Sequence, residues 1–217
     1  MKVRQAVAEL IGTFMLVLFG TAVVVVAKGN VLAIGLAFGL TVTIGAYTVG
    51  AISGGHFNPA VTIAMWINKK IDAATAILYV IAQFVGAILA SGVLKMFVGA
   101  LGQSTTALGQ TDFPKLTSPM AFFVEMLVTA LFIFMILLVT SDEYGNPALA
   151  GLVIGLALAI LVMVAVNLTG ASLNPARSFG PALFAMGSAM SHCWVYLLAP
   201  EVGAVIAAFL ARWMLKK

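Results

Sequence analysis

Long apolar runs separated by brief polar punctuation set the pattern of this chain. They yield six segments long enough to cross a bilayer, near residues 5–27, 31–50, 73–99, 119–140, 148–168 and 193–214. The runs are continuous, as in Leu10 to Ala27 and Met120 to Thr140, so they predict membrane helices rather than the alternating strands of a barrel. Two further apolar stretches, Asn58 to Ile67 and Asn174 to Met186, are too short to traverse about 30 Å of hydrocarbon at about 1.5 Å per residue. They are predicted to be re-entrant or interfacial. Each opens with Asn-Pro, a helix start in which Asn caps free N–H groups and Pro is tolerated at the first helical position.

These segments occur twice. A shift of 116 residues aligns Glu9 with Glu125, Thr13 with Thr129, Gly35-Leu36 with Gly151-Leu152, Gly39-Leu40 with Gly155-Leu156, Gly54 with Gly170, and Asn58-Pro59-Ala60 with Asn174-Pro175-Ala176. A shift of 117 then aligns Val85-Gly86-Ala87 with Val202-Gly203-Ala204. Each half, about 1–100 and 117–217, has three crossings, so the second enters the membrane upside down. The expectation is one channel-like domain over 1–217 built as an inverted repeat, with its pathway at the short interrupted segments.

Composition makes the membrane assignment firm. Of 217 residues 63% are hydrophobic and only 8% charged, where soluble domains carry roughly 25% charged residues. With a mean hydropathy of +1.15, lipid must cover much of the surface. The first run lacks the cleavage pattern of a removable signal peptide. The single Cys193 excludes an internal disulfide and any multi-cysteine metal site. Cytoplasmic termini would place Lys2, Arg4, Lys69, Lys70, Arg212, Lys216 and Lys217 inside against Lys28, Lys95 and Lys115 outside, the bias that the positive-inside rule favours.

Ahead of each short helix lie small residues, Ser53-Gly54-Gly55-His56-Phe57 and Thr169-Gly170-Ala171-Ser172-Leu173, whose backbone is expected to be extended. Such backbone survives at membrane depth only where it is buried in protein or lines water. The carbonyls of Gly54, Gly55, His56, Gly170, Ala171 and Ser172 are therefore candidate acceptors along a pore. Two inverted half-helices would meet by their N-termini, whose partial positive charges oppose a cation or proton.

At these residues the chain resembles the major intrinsic protein family, the aquaporins and aquaglyceroporins. One Asn-Pro-Ala arises by chance at about 10⁻⁴ per position on average composition. Two in register with an inverted repeat, the second continuing Arg177-Ser178, are specific, and the likeness covers essentially the whole chain. It implies an all-α, aquaporin-like fold of six transmembrane helices and two re-entrant half-helices. The implied function is a passive water channel that excludes ions and protons, with passage of small neutral solutes and a glycerol facilitator as the alternatives. It further implies a multi-pass homotetramer with one pore per subunit, no cofactor, metal or nucleic-acid partner, and no catalysis. The short termini suit a prokaryotic plasma membrane.

Residue roles follow from the same likeness. Asn58 and Asn174 would hold their oxygens toward their own helices and their NH₂ donors toward the pore, so that a central water accepts from both and cannot relay a proton. Arg177, a costly charge at membrane depth, would form a selectivity filter with Phe38, Val162 and Ala171. Strict water channels carry His at the place of Val162, and glycerol channels carry Gly there, Trp at Phe38 and Asp at Ser178. Val162 thus predicts a wider, less polar filter, while Ser178 leans toward water. Ala171 stands where some members carry a mercury-sensitive Cys.

The remaining polar residues have two readings each. Glu9 and Glu125 are either coupling carboxylates of an ion- or proton-driven transporter or, by resemblance, acceptors for the N–H groups of the re-entrant loops. His56 either supports its loop or titrates as a gate. His192 and Cys193 sit at a span boundary and read as structural. Gly86 and Gly203 read as helix-contact positions, Trp66, Trp194 and Trp213 as packing or interfacial anchors, and Glu201 has no counterpart in the first half. No Ser/His pair, paired Asp or metal cluster marks an enzyme.

Overall fold

The computed structural model describes residues 2–216; Lys217, one of the terminal cations counted above, lies outside them. The described residues form helices and no strand: α1 (Lys2–Val26), α2 (Val31–Tyr47), α3 (Gly50–Ser53), α4 (Pro59–Ile67), α5 (Ala73–Ala100), α6 (Ser118–Val139), α7 (Ala150–Thr169), α8 (Pro175–Ala185), α9 (Gly187–Ser191) and α10 (Cys193–Met214). Five of them, α1, α5, α6, α7 and α10, are long and apolar enough to cross a membrane. The sixth, α2, has 17 residues, the lower end of the roughly 17–25 that a span needs. α2 stops short of the expected residue 50. At Thr48 the backbone leaves helical geometry (φ −110°, ψ −98°) after its N–H closes the last turn onto the Ile44 and Gly45 carbonyls. In the second half the corresponding stretch stays continuous to Thr169.

Because these helices are apolar all round, polarity does not sort their faces; residue size does. α10 turns Ala199, Gly203, Ala204, Ala207, Ala208 and Ala211 inward and leaves Leu198, Val202, Ile206, Phe209 and Trp213 exposed. In lipid, association rests on close packing rather than on a hydrophobic drive, and small residues let backbones approach. A Cβ on Gly86 would stand 2.4 Å from the Leu10 carbonyl oxygen, and one on Gly203 would stand 2.4 Å from that of Met126. These are the same crossing in the two repeats, α1 on α5 and α6 on α10. The repeats join where α2 crosses α7. There a Cβ on Gly39 would lie 2.4 Å from the Gly155 oxygen, and one on Gly155 would lie 2.5 Å from the Gly39 oxygen.

The two half-helices begin inside this frame. Pro59 and Ala60 of α4, and Pro175 and Ala176 of α8, are all buried. α4 packs on α5 and α10, and α8 packs on the same two helices. On the face opposite the termini, the 101–117 segment folds inward and buries Leu108, Thr111 and Phe113. On the terminal face, Lys2 pairs with Asp72 at 2.9 Å and Lys70 with Asp142 at 2.7 Å. Asp72 also accepts from the Thr75 N–H as the cap of α5. The Lys2 ammonium, followed by the Thr75 bonds, holds its carboxyl at about 2.

Two outcomes follow. Gly155→Ala, whose new Cβ would lie 1.9 Å from Thr43 Oγ1, should cost about 1–3 kcal/mol in unfolding from detergent. Gly92→Ala, where a Cβ meets nothing nearer than 3.6 Å, should be neutral or slightly stabilising. Since the Asp72 pKa is depressed, its contribution is fully present above the unfolded carboxylate value of about 4 and is lost as pH falls toward 2. Asp72→Asn should remove that part of the acid slope in a thermal melt.

Candidate pore and selectivity filter

Each re-entrant loop is bound to a buried glutamate of the first helix in its repeat. Glu9 accepts from the backbone N–H groups of His56 (2.9 Å) and Phe57 (2.6 Å), from Ser53 Oγ (2.6 Å) and from Gln83 Nε2 (2.8 Å). Glu125 accepts from the N–H groups of Ser172 (2.9 Å) and Leu173 (3.0 Å) and from Thr169 Oγ1 (2.6 Å). A tyrosine completes each cradle: Tyr79 donates to the Ser53 carbonyl and Tyr196 to that of Thr169, both at 2.7 Å. The loops are not extended as expected. Gly54, Gly55 and Phe57 have positive φ, as do Gly170, Ala171 and Leu173. These left-handed turns bring two successive N–H groups onto one carboxylate. Tyr79, Tyr196, Ser53, Thr169 and Gln83 were not singled out from the sequence. The 117-residue shift that pairs Gly86 with Gly203 also pairs Tyr79 with Tyr196.

The two Asn-Pro-Ala heads meet across the centre. Asn58 Oδ1 caps the Ala60 N–H at 2.9 Å, and Asn174 Oδ1 caps those of Ala176 (3.0 Å) and Arg177 (3.2 Å). The amide nitrogens reach across the pseudo-twofold: Asn58 Nδ2 donates to the Leu173 carbonyl at 2.7 Å, and Asn174 Nδ2 donates to the Phe57 carbonyl at 2.8 Å. This corrects the expectation that both amide hydrogens of each asparagine face the pore. One hydrogen of each NH₂ ties the loops together, and one is left for the lumen.

A narrow lumen of about 60 Å³ runs past these groups, and it opens on the terminal face into a mouth of about 1140 Å³. Asn58, Asn174, Phe38, Val162, Ala171 and Arg177 all line it, as do Gly54, Gly55, His56 and Ser172; Gly170 does not. The rest of the lining is mostly apolar, with Leu16, Val42, Val61, Phe132, Ile136 and Leu158 beside Thr140. The Arg177 guanidinium carbon lies 4.8 Å from the centre of the Phe38 ring, within cation–π range. Nη1 donates to the Gly109 carbonyl at 3.0 Å, and Nε has no protein partner among the described residues. Behind the filter runs a hydroxyl chain, Thr111 to Ser178 (2.7 Å), Ser178 to Ser172 (2.7 Å) and Ser172 to the Asn174 carbonyl (2.9 Å). The repeat-equivalents of Phe38, Val162, Ala171 and Arg177 are Ile154, Ala46, Gly55 and Val61. The charge therefore sits at one end only.

On the face opposite the termini, Asp112 accepts from Ser188 Oγ at 2.5 Å and pairs with His192 Nδ1 at 2.7 Å, while the His192 ring stacks on Phe113. Burial pushes the Asp112 carboxyl up, but the Ser188 and His192 bonds and the Phe113 N–H together hold it below its ordinary value. His56 Nδ1 lies 3.1 Å from Thr62 Oγ1, a hydroxyl that also accepts from Gln83. Cys193 is buried, Trp66, Trp194 and Trp213 are exposed, and one carboxylate oxygen of Glu201 is buried without a protein partner.

The cradles set an expected outcome. Glu9→Gln turns one acceptor oxygen into a donor facing loop N–H groups. It should cost about 2 kcal/mol or more, the worth of hydrogen bonds to a charged group. Glu125→Gln, with three donors instead of four, should cost less. Paired thermal unfolding in detergent measures the difference.

Comparison with known proteins agrees with this geometry. The sequence profile of the major intrinsic protein family matches residues 1–211. The chain is 68% identical over 211 residues to the glycerol uptake facilitator protein-like 6 of Lactiplantibacillus plantarum, covering 97% of this chain and 98% of that protein. It is 35% identical to aquaporin AqpM of Methanothermobacter thermautotrophicus, with 97% of each covered. Its fold superposes on the aquaglyceroporin of Plasmodium falciparum with a TM-score of 0.89 at 25% identity, covering 99% of this chain and 98% of that one. An inverted pair of capped half-helices held in one helical frame, matched end to end by these relatives, makes this chain a member of the major intrinsic protein family of membrane channels.

Proposed function

We propose that the protein is a passive channel for water and small uncharged solutes, glycerol among them, that excludes ions and protons. The observation that carries this reading is the mixed lining of the lumen, which joins loop residues and the polar side chains of Asn58, Asn174 and Arg177 with Leu16, Val42, Phe132, Ile136 and Leu158. A polyol can turn its hydroxyls to the polar groups and its carbon backbone to the apolar ones. At the filter Val162 adds a side chain with no donor or acceptor to replace a solute's hydration. The 68% identical relative, named a glycerol uptake facilitator-like protein, supports the same reading.

Exclusion of charge has three sources. A water between Asn58 and Asn174 accepts one N–H from each, so both of its own hydrogens point away from the centre and no proton passes through it. The N-termini of α4 and α8 add positive potential at that point. Arg177, which lines the lumen, repels cations at the filter and donates to neutral solutes. A coupled transporter would need an exchangeable carboxylate. Glu9 and Glu125 are instead each bound by three or more donors, and neither lines the lumen. On this reading residues 1–217 are one domain, the termini face the cytoplasm of a plasma membrane, the assembly is a homotetramer, and no chemistry is catalysed.

A strict water channel is the second reading. Ser178, which closes a hydroxyl chain from Thr111 to Ser172, favours it, because glycerol channels resemble this chain elsewhere but carry Asp at that position.

Stopped-flow light scattering of proteoliposomes separates the two. Fast shrinkage under sucrose, glycerol re-entry well above empty liposomes, and indifference to pH and sodium are expected. Val162→His, which adds three heavy atoms and a polar ring where a single methylene already carries about tenfold or more in a fitted site, should lower glycerol flux by at least about tenfold and leave water flux within a small factor. Arg177→Val should admit a cation leak. Glycerol re-entry no faster than through empty liposomes would leave the strict water channel.

A further inference from the structure

Two sides of the filter rest on one turn of a helix that does not itself line the lumen there. Gly20 and Thr21 of α1 are both buried, and Leu16 is the α1 residue that reaches the lumen. A Cβ on Gly20 would stand 2.2 Å from Cε1, 2.5 Å from Cδ1 and 2.6 Å from Cζ of Phe38. The Phe38 ring thus packs its Cδ1–Cε1–Cζ edge against bare α1 backbone, while the Arg177 guanidinium carbon lies 4.8 Å from the ring centre. The next residue supports Arg177 in turn. Gly109, with φ +67°, packs so closely that a Cβ on it would lie 2.8 Å from the Thr21 carbonyl oxygen and 3.0 Å from Thr21 Cβ. It is the Gly109 carbonyl that holds Arg177 Nη1.

We propose that the Gly20–Thr21 turn is a positioning element that sets the aperture of the selectivity filter from behind. Gly20 lets the Phe38 ring withdraw from the lumen, and Thr21 fixes how far the Gly109 carbonyl, and with it Arg177, stands from that ring. The inference rests on the neutral-solute channel reading and names a determinant of its selectivity.

The inverted repeat shows that the fold itself does not demand a glycine here. The equivalent of Gly20 is Ile136 and the equivalent of Phe38 is Ile154, and both isoleucines line the lumen at its other end. There the first helix of the repeat fills the space with its own side chain. At the filter it cedes that space to an aromatic ring from α2. A methyl group at position 20 must push the ring forward by about 1 Å or more, because ordinary contact begins near 3.4 Å, and forward means toward Arg177 and Val162.

The test is the ratio of glycerol to water permeability in proteoliposomes of the full chain. Gly20→Ala is expected to lower glycerol flux by about tenfold, as a methyl group does in a fitted apolar site, with a much smaller loss of water flux. The double variant Gly20→Ala/Phe38→Leu should restore glycerol flux, because the shorter side chain returns the lost space. Gly109→Ala, which lifts the other support off Thr21, should change the ratio without rescue by Phe38→Leu. If the wild type passes water alone, the same loss and rescue are expected in water flux. An unchanged ratio in Gly20→Ala and in Gly109→Ala, or a double variant no better than the single, overturns the proposal. A wild type that conducts neither water nor glycerol overturns the channel reading instead, so the two failures are distinct.

Discussion

Every backbone N–H that leaves a helix at membrane depth must find an acceptor, because lipid offers none and an unpaired group costs several kcal/mol. This constraint shapes the whole molecule. To bring helix N-termini to the middle of the bilayer, the chain must run two non-helical segments through it. Their N–H groups are gathered in pairs by Glu9 and Glu125. With the donors turned back onto the carboxylates, the carbonyls of Gly54, Gly55, His56, Ala171 and Ser172 have no donor among the described residues and can serve water. The left-handed residues are the backbone cost of that division, and Ala171 and Leu173 bear it without being glycine.

The inverted repeat halves the design problem, and the departures from it carry the specificity. Both repeats keep the glutamate, the loop hydroxyl of Ser53 or Thr169, the tyrosine and the capping asparagine. They part where solutes are chosen. Arg177 faces Val61 across the repeat, Phe38 faces Ile154, and Ser172 faces His56. Thr62 and Ser178 occupy one repeat position but serve different networks: Thr62 joins His56 to Gln83, whereas Ser178 joins Ser172 to Thr111 of the 101–117 segment. Gln83 itself corresponds to Pro200, so Glu125 lacks a fourth donor. One end of the lumen is thereby charged and aromatic, while the equivalent positions at the other carry Val61 and Ile154.

Much of the fold was legible in the sequence because helices in lipid leave a strong signal. Continuous apolar length located the spans, and Asn-Pro located the two short helix starts to the residue. The end of α2 was not legible, since neither Gly nor Pro stands at Thr48, where the backbone leaves helical geometry. Nor was the left-handed loop, because small residues permit many conformations and only the position of Glu9 selects among them. The asparagine cross-bonds depend on the distance between two segments more than a hundred residues apart. Gly109 and Gly20 were unread for a related reason: a bare backbone acquires its role only from what packs against it.

Selectivity in this architecture is thus a property of supports as much as of lining. A guanidinium has five donors, and among the described residues that of Arg177 is bonded through Nη1 to the Gly109 carbonyl, itself seated on Thr21. Any account of solute choice that lists Phe38, Val162, Ala171 and Arg177 alone treats their positions as given. They are given by α1, whose inward face carries Glu9 for one loop, Gly12 against the Phe57 ring, Leu16 for the lumen wall and Gly20 against the Phe38 ring, one turn after another. Residues four apart fall on one helix face, so a single stripe of α1 aligns loop, wall and filter. A displacement of that helix would shift the pore as a unit, whereas a side chain added at one turn would alter only the station beside it.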